Sequence, residues 1–266
     1  AGEVGMSEIK RMSYSMVRAW LDCPRYFMYW YLRKMPAVLA GRLLAGRVYH
    51  HGVAYALKRK KAGQLVPVDE VRDIMSDRWQ SELKESVYYE NLEEPKIEAK
   101  QVNWGDDDPG KLKDTVLRLG ALYTTKMVPK LEPVAVEERL EGSIGDIPFV
   151  GYPDLVLPGP GVIDHKLATR RVNTELANKD MQFSAYAALL GKPIWAAWHQ
   201  ALDQKKLDIN VVMTERRQGD IDWFAHLVAE VWHGIQSGVF PPNPLCWRCS
   251  EAKCPYYLEC KVLMED

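Results

Sequence analysis

The sequence predicts an α/β chain of the α+β kind: a mixed central sheet, mainly antiparallel, flanked by helices. A helical segment precedes the sheet and a cysteine-rich segment follows it. Three observations carry this. Apolar residues recur at helical spacing as far as about Leu131, the period shortens to that of strands from Val134, and four of five cysteines lie between Cys246 and Cys260.

The elements follow in order. Ser13 or Ser15 can cap a helix reading "MVRAWLDC", which Pro24 interrupts. The aromatic run "RYFMYWYL" comes next, and a second helix extends from about Ala40 through Lys60. "VDEVRDIMSDRWQSELKES" has helical spacing, "WGDDDPGK" reads as a loop, and "KLKDTVLRLGALYTTKMVPKL" resumes the helical period before Pro133. "VAVEERLEGSIGDIPFVGYPDLVL", "GVIDHK", "IWAAWHQAL" and "LDINVVMTER" are short, β-rich and punctuated by Gly, Pro and Asp. Between them "TELANKDMQFSAYAALLG" predicts one helix ending at Gly191, and "DIDWFAHLVAEVWHGIQSG" the last long one. We expect a flexible stretch over 1–12 and one domain over 13–266. Within that domain, 62–132 forms a helical insertion and 241–261 carries the cysteines.

Hydrophobic residues make up 47% of the 266 and charged residues 27%, enough for a substantial core. No apolar run approaches the roughly 20 residues that span a bilayer. The N-terminus lacks the layout of a signal peptide, so a cytoplasmic protein without a membrane partner is expected. The net charge of −1 gives no overall sign of a polyanion binder, but its distribution is uneven. Ile9 to Lys61 carries twelve Lys/Arg against one acid, and Asp69 to Asp114 fourteen acids against seven bases. The first segment reads either as a basic surface for a polyanion or as solvated helix faces.

The richest stretch is "GYPDLVLPGPGVIDHKLATRR", Gly151 to Arg171. A hairpin centred on Gly159 sets Asp154 opposite Asp164, each five residues from the centre. Opposed residues share a sheet face with Cβ atoms about 4.5–5.5 Å apart. Lys166, two residues beyond Asp164, projects from that same face. Like charges so placed destabilise a sheet unless something neutralises them. A hard divalent cation such as Mg²⁺ or Mn²⁺ would do so.

"GYPD", "VIDHK" and then "MQFSAY" together resemble the PD-(D/E)xK nuclease superfamily, specifically its RecB-like branch, which includes AddB nuclease domains and CRISPR-associated RecB-type exonucleases. The match runs over most of the chain from Ser13. It implies a restriction-endonuclease-like core in which His50, Asp154 and Asp164 hold the metal, with the carbonyl of Leu167 as a further candidate ligand. Lys166 would position the attacking water, and Gln182 and Tyr186, the QxxxY pair at i and i+4, would hold DNA or the active-site helix. "GRVYHH" matches the branch's spacing at Gly46 and His50, whereas His51 does not fit. Glu137 or Glu138 on the preceding strand could assist through water.

The cysteines admit two readings from residue types alone. Four clustered cysteines with a CxxC suggest a zinc ribbon, and a structural disulfide does not suit a reducing compartment. The resemblance adds an iron-sulfur reading, since members of the branch carry one cysteine in a "CPRxF"-like stretch and three near the C-terminus. "DCPRYF" at Cys23 fits the first. The C-terminal register departs from the family's CxxCx₅C. We take Cys23, Cys246, Cys249 and Cys254 as ligands of a 4Fe-4S cluster, with Cys260 as the alternative ligand and zinc as the alternative metal.

The resemblance thus implies a metal-dependent DNA nuclease, an exonuclease acting on single strands or DNA ends. Arg25, Tyr26, Lys58, Arg59 and Lys60 are the expected DNA contacts, through phosphates and stacking. Proteins of recombination, replication or CRISPR adaptation are the partner classes it suggests. The alternative is a non-catalytic DNA-binding or scaffold module built around a structural zinc or iron-sulfur site.

Overall fold

The computed structural model describes residues 9–84, 87–88 and 102–262. Its central sheet has five strands in the order β10-β9-β8-β7-β4: Asp208–Arg216, Ile194–Leu202, Gly161–Ala168, Leu155–Leu157 and Ala135–Val136. All neighbours are antiparallel except β8 and β9, which run parallel. The mixed sheet is as expected, and its one parallel pair has a local cause. The chain leaves β8, crosses through α6 (Thr174–Asn178) and α7 (Met181–Leu190), and re-enters in the same direction. A smaller sheet joins β5 (Leu140–Ile144), β6 (Ile147–Gly151) and the two-residue β1 (Met12–Ser13), and a ladder pairs β2 (Ala37–Val38) with β3 (Val87–Tyr88).

Helix α1 (Tyr14–Asp22) starts where Ser13 accepts a hydrogen bond from the Met16 N–H at 3.4 Å, and Pro24 opens the short α2 (Pro24–Phe27). The aromatic run then continues as a widened π-type turn, Met28–Leu32. Helix α3 (Gly41–Lys61) buries Leu44, Val48, Tyr49, Val53 and Leu57 on one face. Helix α4 (Val68–Lys84) and helix α5 (Pro109–Lys126) pack on it, and Asp108 caps α5 from within the expected loop. These helices share one apolar cluster with Leu155, Ile163, Ala197 and Ala201 of the sheet. The described part of the 62–132 stretch is therefore continuous with the main core. Residues 1–8 of the expected flexible terminus, and 85–86 and 89–101 of the expected insertion, lie outside the described residues.

The helix expected over "TELANKDMQFSAYAALLG" is two helices. Asp180 caps the second through the Gln182 N–H, and buried Arg216 donates to the carbonyls of Ala177 and Asp180 at 2.9 and 2.6 Å. Those two carbonyls are thereby turned away from a continuous helical ladder. Helix α8 (Gln218–Gln236) covers the smaller sheet, with Phe224 edge-on to Phe149.

The tail returns to the N-terminal helices and ends in α9 (Tyr257–Val262). The Arg25 N–H donates to Pro241 O, Asn243 Nδ2 to Asp22 O, and Tyr256 OH to Met35 O, at 3.2, 2.8 and 2.7 Å. Arg248 lies 4.3 Å above the Tyr26 ring and pairs with Asp22 at 3.1 Å. Among the described residues, no helix is long and apolar enough to cross a membrane.

Candidate active site

The hairpin register is centred on Gly159: Leu157 pairs with Gly161, Val156 with Val162, and Leu155 with Ile163. Gly159 itself has φ of +70°, the left-handed conformation that a tight turn needs and glycine tolerates. The β7–β8 ladder ends one step short of the acids, at Leu155, and the Asp154 carboxylate takes the His165 N–H next to Asp164. Gly151 explains the first residue of "GYPD", since a Cβ there would come within 2.9 Å of Leu189 and 3.2 Å of Tyr186. Its absence lets α7 settle against β6.

Two linked groups occupy the face. In the first, Lys166 Nζ stands 2.6 Å from Asp164 Oδ2 and donates to Gln182 Oε1 at 3.0 Å. Gln182 Nε2 donates to Asp164 Oδ1 at 2.8 Å and to the Tyr186 hydroxyl at 2.9 Å. Tyr186 in turn donates to Tyr152 O at 3.0 Å. The QxxxY pair therefore fixes the acid and the lysine relative to each other. In the second group, His50 Nδ1 is 3.3 Å from Asp154 Oδ1, while the backbone N–H of His165 donates to Asp154 Oδ2 at 2.6 Å.

The electrostatics separate the two acids. Burial disfavours charge on Asp154, but His50 and His165 outweigh it and hold the carboxyl well below the usual range. Burial also dominates at Asp164, where the Asp154 charge adds to it and Lys166 opposes it, so this carboxyl is raised. Burial works against a charged His50 as well, yet Asp154 raises its pKa from 6.5 to about 9. Burial works against a charged Lys166 too, and Asp164 more than offsets this.

The residues suit a hard cation. Ligand atoms of His50, Glu137 and Asp154 all lie within 4.8 Å of one another. Asp164 Oδ2 is buried and, despite the ammonium nearby, receives no hydrogen bond of acceptable geometry. Asp164 stands beside that trio, turned towards Lys166 and Gln182. Glu137, expected to act only through water, comes closer than the sequence suggested. Its φ of 52° is rare for a residue with a side chain, and its N–H bonds the Asp154 carbonyl at 3.1 Å. Leu167 lies where β8 runs past the end of β7. His51 is exposed on the far side of α3 from the core.

The expected DNA contacts fall in two places. Lys58, Arg59 and Lys60 end α3, but face Glu137, Glu70 and Glu132 at 3.5, 3.8 and 3.3 Å. Lys61 likewise meets Glu138 at 2.5 Å. This basic run is locally offset by Glu70 of α4 and by the acids Glu132, Glu137 and Glu138. Arg25 and Tyr26 lie instead at the far end, where they line a cavity of about 260 Å³ together with all five cysteines. Burial raises the thiol pKa values of Cys254 and Cys260, and both also feel Cys23 and Cys249.

Three buried residues escaped the motif reading: Tyr123, His165 and His199, of which His165 sits between the acid and lysine of "DHK". The available signal was His199, which pairs with His165 across β9 and β8.

The profile of the PD-(D/E)XK nuclease superfamily matches residues 11–261 of the chain. Among solved structures, a candidate exonuclease from Eubacterium rectale is similar at 12% identity and a TM-score of 0.55, over 90% of this chain and 87% of that one. A second, the protein SSO0001, is 15% identical with a TM-score of 0.35, over 57% of this chain and 70% of that one. No curated protein matches the chain.

Proposed function

Because this chain belongs to the PD-(D/E)XK nuclease superfamily, we propose that it is a divalent-metal-dependent deoxyribonuclease, an exonuclease that acts on single strands or DNA ends. One observation carries the reading. His50, Asp154, Asp164, Lys166 and Gln182 converge on one face, and two carboxylates and an imidazole gathered beside a lysine suit a divalent cation. His50, Asp154 and Asp164 would hold Mg²⁺ or Mn²⁺, with Glu137 and the Leu167 carbonyl as further ligands. The cation supplies Lewis-acid stabilisation of charge developing on the phosphate. Lys166, held by Asp164 and Gln182, keeps its proton and orients the attacking water. The likeness to a candidate exonuclease favours attack at ends over internal cleavage.

End-labelled single- and double-stranded DNA incubated with Mg²⁺, Mn²⁺ or EDTA tests the proposal. Stepwise shortening that requires metal is expected, and full activity in EDTA would refute it. His50 adds a second check. In the metal-free chain its ion pair stabilises fully below about pH 6.5 and is lost as pH rises through about 9. Mn²⁺ must displace that proton. Binding at neutral pH should release about one proton, visible in how the calorimetric enthalpy varies between buffers, and affinity should climb with pH. Binding without proton release would remove His50 from the ligand set.

At the far end we propose a 4Fe-4S cluster held by Cys23, Cys249, Cys254 and Cys260, with Cys246 spare. Cys254 and Cys260 pack, partly buried, against the apolar cluster of the N-terminal helices that flank Cys23, which favours them as its partners. Zinc on the same thiols is the alternative, and metal analysis of the purified protein separates the two.

DNA contact by the α3 run is weakened by its acidic partners. Replacing Lys58, Arg59 and Lys60 with Gln should reduce affinity for all sequences alike. It should lower the slope of log K against log salt by no more than about 2, the value for three single-strand phosphate contacts. An unchanged slope would take the run out of the DNA path.

A further inference from the structure

Beneath Asp154 lies a polar group that the motifs leave unused. Tyr123 of α5 is fully buried, and its hydroxyl stands 2.7 Å from His165 Nε2 and 2.8 Å from His199 Nδ1. The two histidines are register partners on β8 and β9, and both are buried. The Tyr123 ring meets the His165 ring edge-on, centroids 5.0 Å apart. On its other side His165 touches Asp154. Its N–H donates to Oδ2 at 2.6 Å, and its ring Nδ1 lies 3.5 Å from the same oxygen.

Such a cluster is costly in an apolar core unless each donor finds an acceptor. Burial raises the Tyr123 pKa well above its ordinary value, so the hydroxyl keeps its proton. Burial, with His165 nearby, lowers His199 to about 3, so that ring is neutral. One order of donors then serves every contact. His199 Nδ1–H donates to Tyr123, Tyr123 donates to His165 Nε2, and the His165 hydrogen sits on Nδ1, towards Asp154. The reverse order would press the lone pair of His165 Nδ1 against the carboxylate.

We propose that Tyr123, His165 and His199 form a buried strut that positions Asp154, holding Oδ2 inward so that Oδ1 stays beside His50 as the oxygen offered to a cation. This rests on the metal-dependent reading of the site given above. Tyr123 and His165 are positioning residues in it, and neither need touch substrate. Outer-shell partners of metal ligands commonly contribute 10–100-fold to affinity or activity. The Tyr123 hydroxyl is the informative atom, because it bonds the two imidazoles and not Asp154. Removing it can reach the metal only through His165.

The test is calorimetric titration of the whole chain with Mn²⁺, together with DNA cleavage across Mn²⁺ concentrations. Wild type is compared with Tyr123→Phe, His199→Leu and His199→Asn. Tyr123→Phe should weaken Mn²⁺ binding roughly tenfold and raise the half-saturating Mn²⁺ for cleavage in proportion. The rate at saturating Mn²⁺ should stay near wild type, which a general loss of structure would not allow. His199→Leu should behave like Tyr123→Phe, whereas His199→Asn, which keeps a donor near the Nδ1 position, should bind Mn²⁺ as wild type does. Wild-type affinity in Tyr123→Phe would overturn the strut, and so would equal affinities in the two His199 variants. If Tyr123→Phe does not fold, the His199 pair decides alone. A wild-type chain that takes up no Mn²⁺ would overturn the metal reading itself, and the strut with it.

Discussion

Asp164→Asn is expected to slow DNA cleavage on the order of 10³-fold or more, while the metal-free protein melts closer to the wild-type temperature than Asp154→Asn does. Relief of a raised carboxyl offsets the loss of the Lys166 partner. Asn keeps an oxygen for Gln182 and loses the charge. The Asp164 carboxyl is raised, chiefly by burial, so its ionised form costs stability. That cost sets in as pH climbs above the unfolded value near 4, and it is complete above the folded value. Asp154→Asn should be equally inactive and clearly less stable. Its carboxyl is depressed, so it stabilises the fold above about pH 4 and loses that effect as pH falls. Removing it should cost on the order of 2 kcal/mol at neutral pH. Cleavage assays and thermal melts in EDTA check both halves. An active Asp164→Asn protein would dismiss the site, and equal melting shifts would dismiss the electrostatic contrast.

The second large effect is expected at Cys23. Anaerobically purified protein should be brown, and Cys23→Ser should lose the colour and melt on the order of 10 °C lower. A shared centre closes a loop of more than two hundred residues, from Cys23 to the C-terminal cysteines. Activity should fall through unfolding, with Mn²⁺ binding intact at temperatures where the variant is still folded. Cys246→Ser should keep its colour, and Cys260→Ser should not. Colourless wild-type protein with one zinc and no iron would replace the cluster with a zinc site.

The parts of the site that were legible in the sequence are those governed by local arithmetic. The register about Gly159 brings Asp154 and Asp164 to the end of one ladder because strand pairing next to a turn leaves little choice. Gln182 and Tyr186 meet because they lie one helical turn apart. What was not legible depends on segments that meet only in three dimensions. The acids opposite Lys58 and Lys60 lie more than seventy residues away, and nothing near the lysines announces them. Arg216 breaks a helix from another strand. Tyr123 looks like one more apolar face residue of α5 until β8 and β9 bring two imidazoles to its hydroxyl.

The closure between Asp22 and Arg248 also bears on how the molecule is made. These two residues lie 226 positions apart, and their contact belongs to a tail that covers Tyr26 and Tyr29. A ribosome adding about 5–20 residues per second needs roughly 10–45 s to cross that interval. Throughout it, the N-terminal aromatic helices have left the ribosome and their cover does not yet exist. The nascent chain therefore carries these aromatic faces without the tail, and a chaperone that holds aromatic segments would meet this protein between Tyr14 and Leu32.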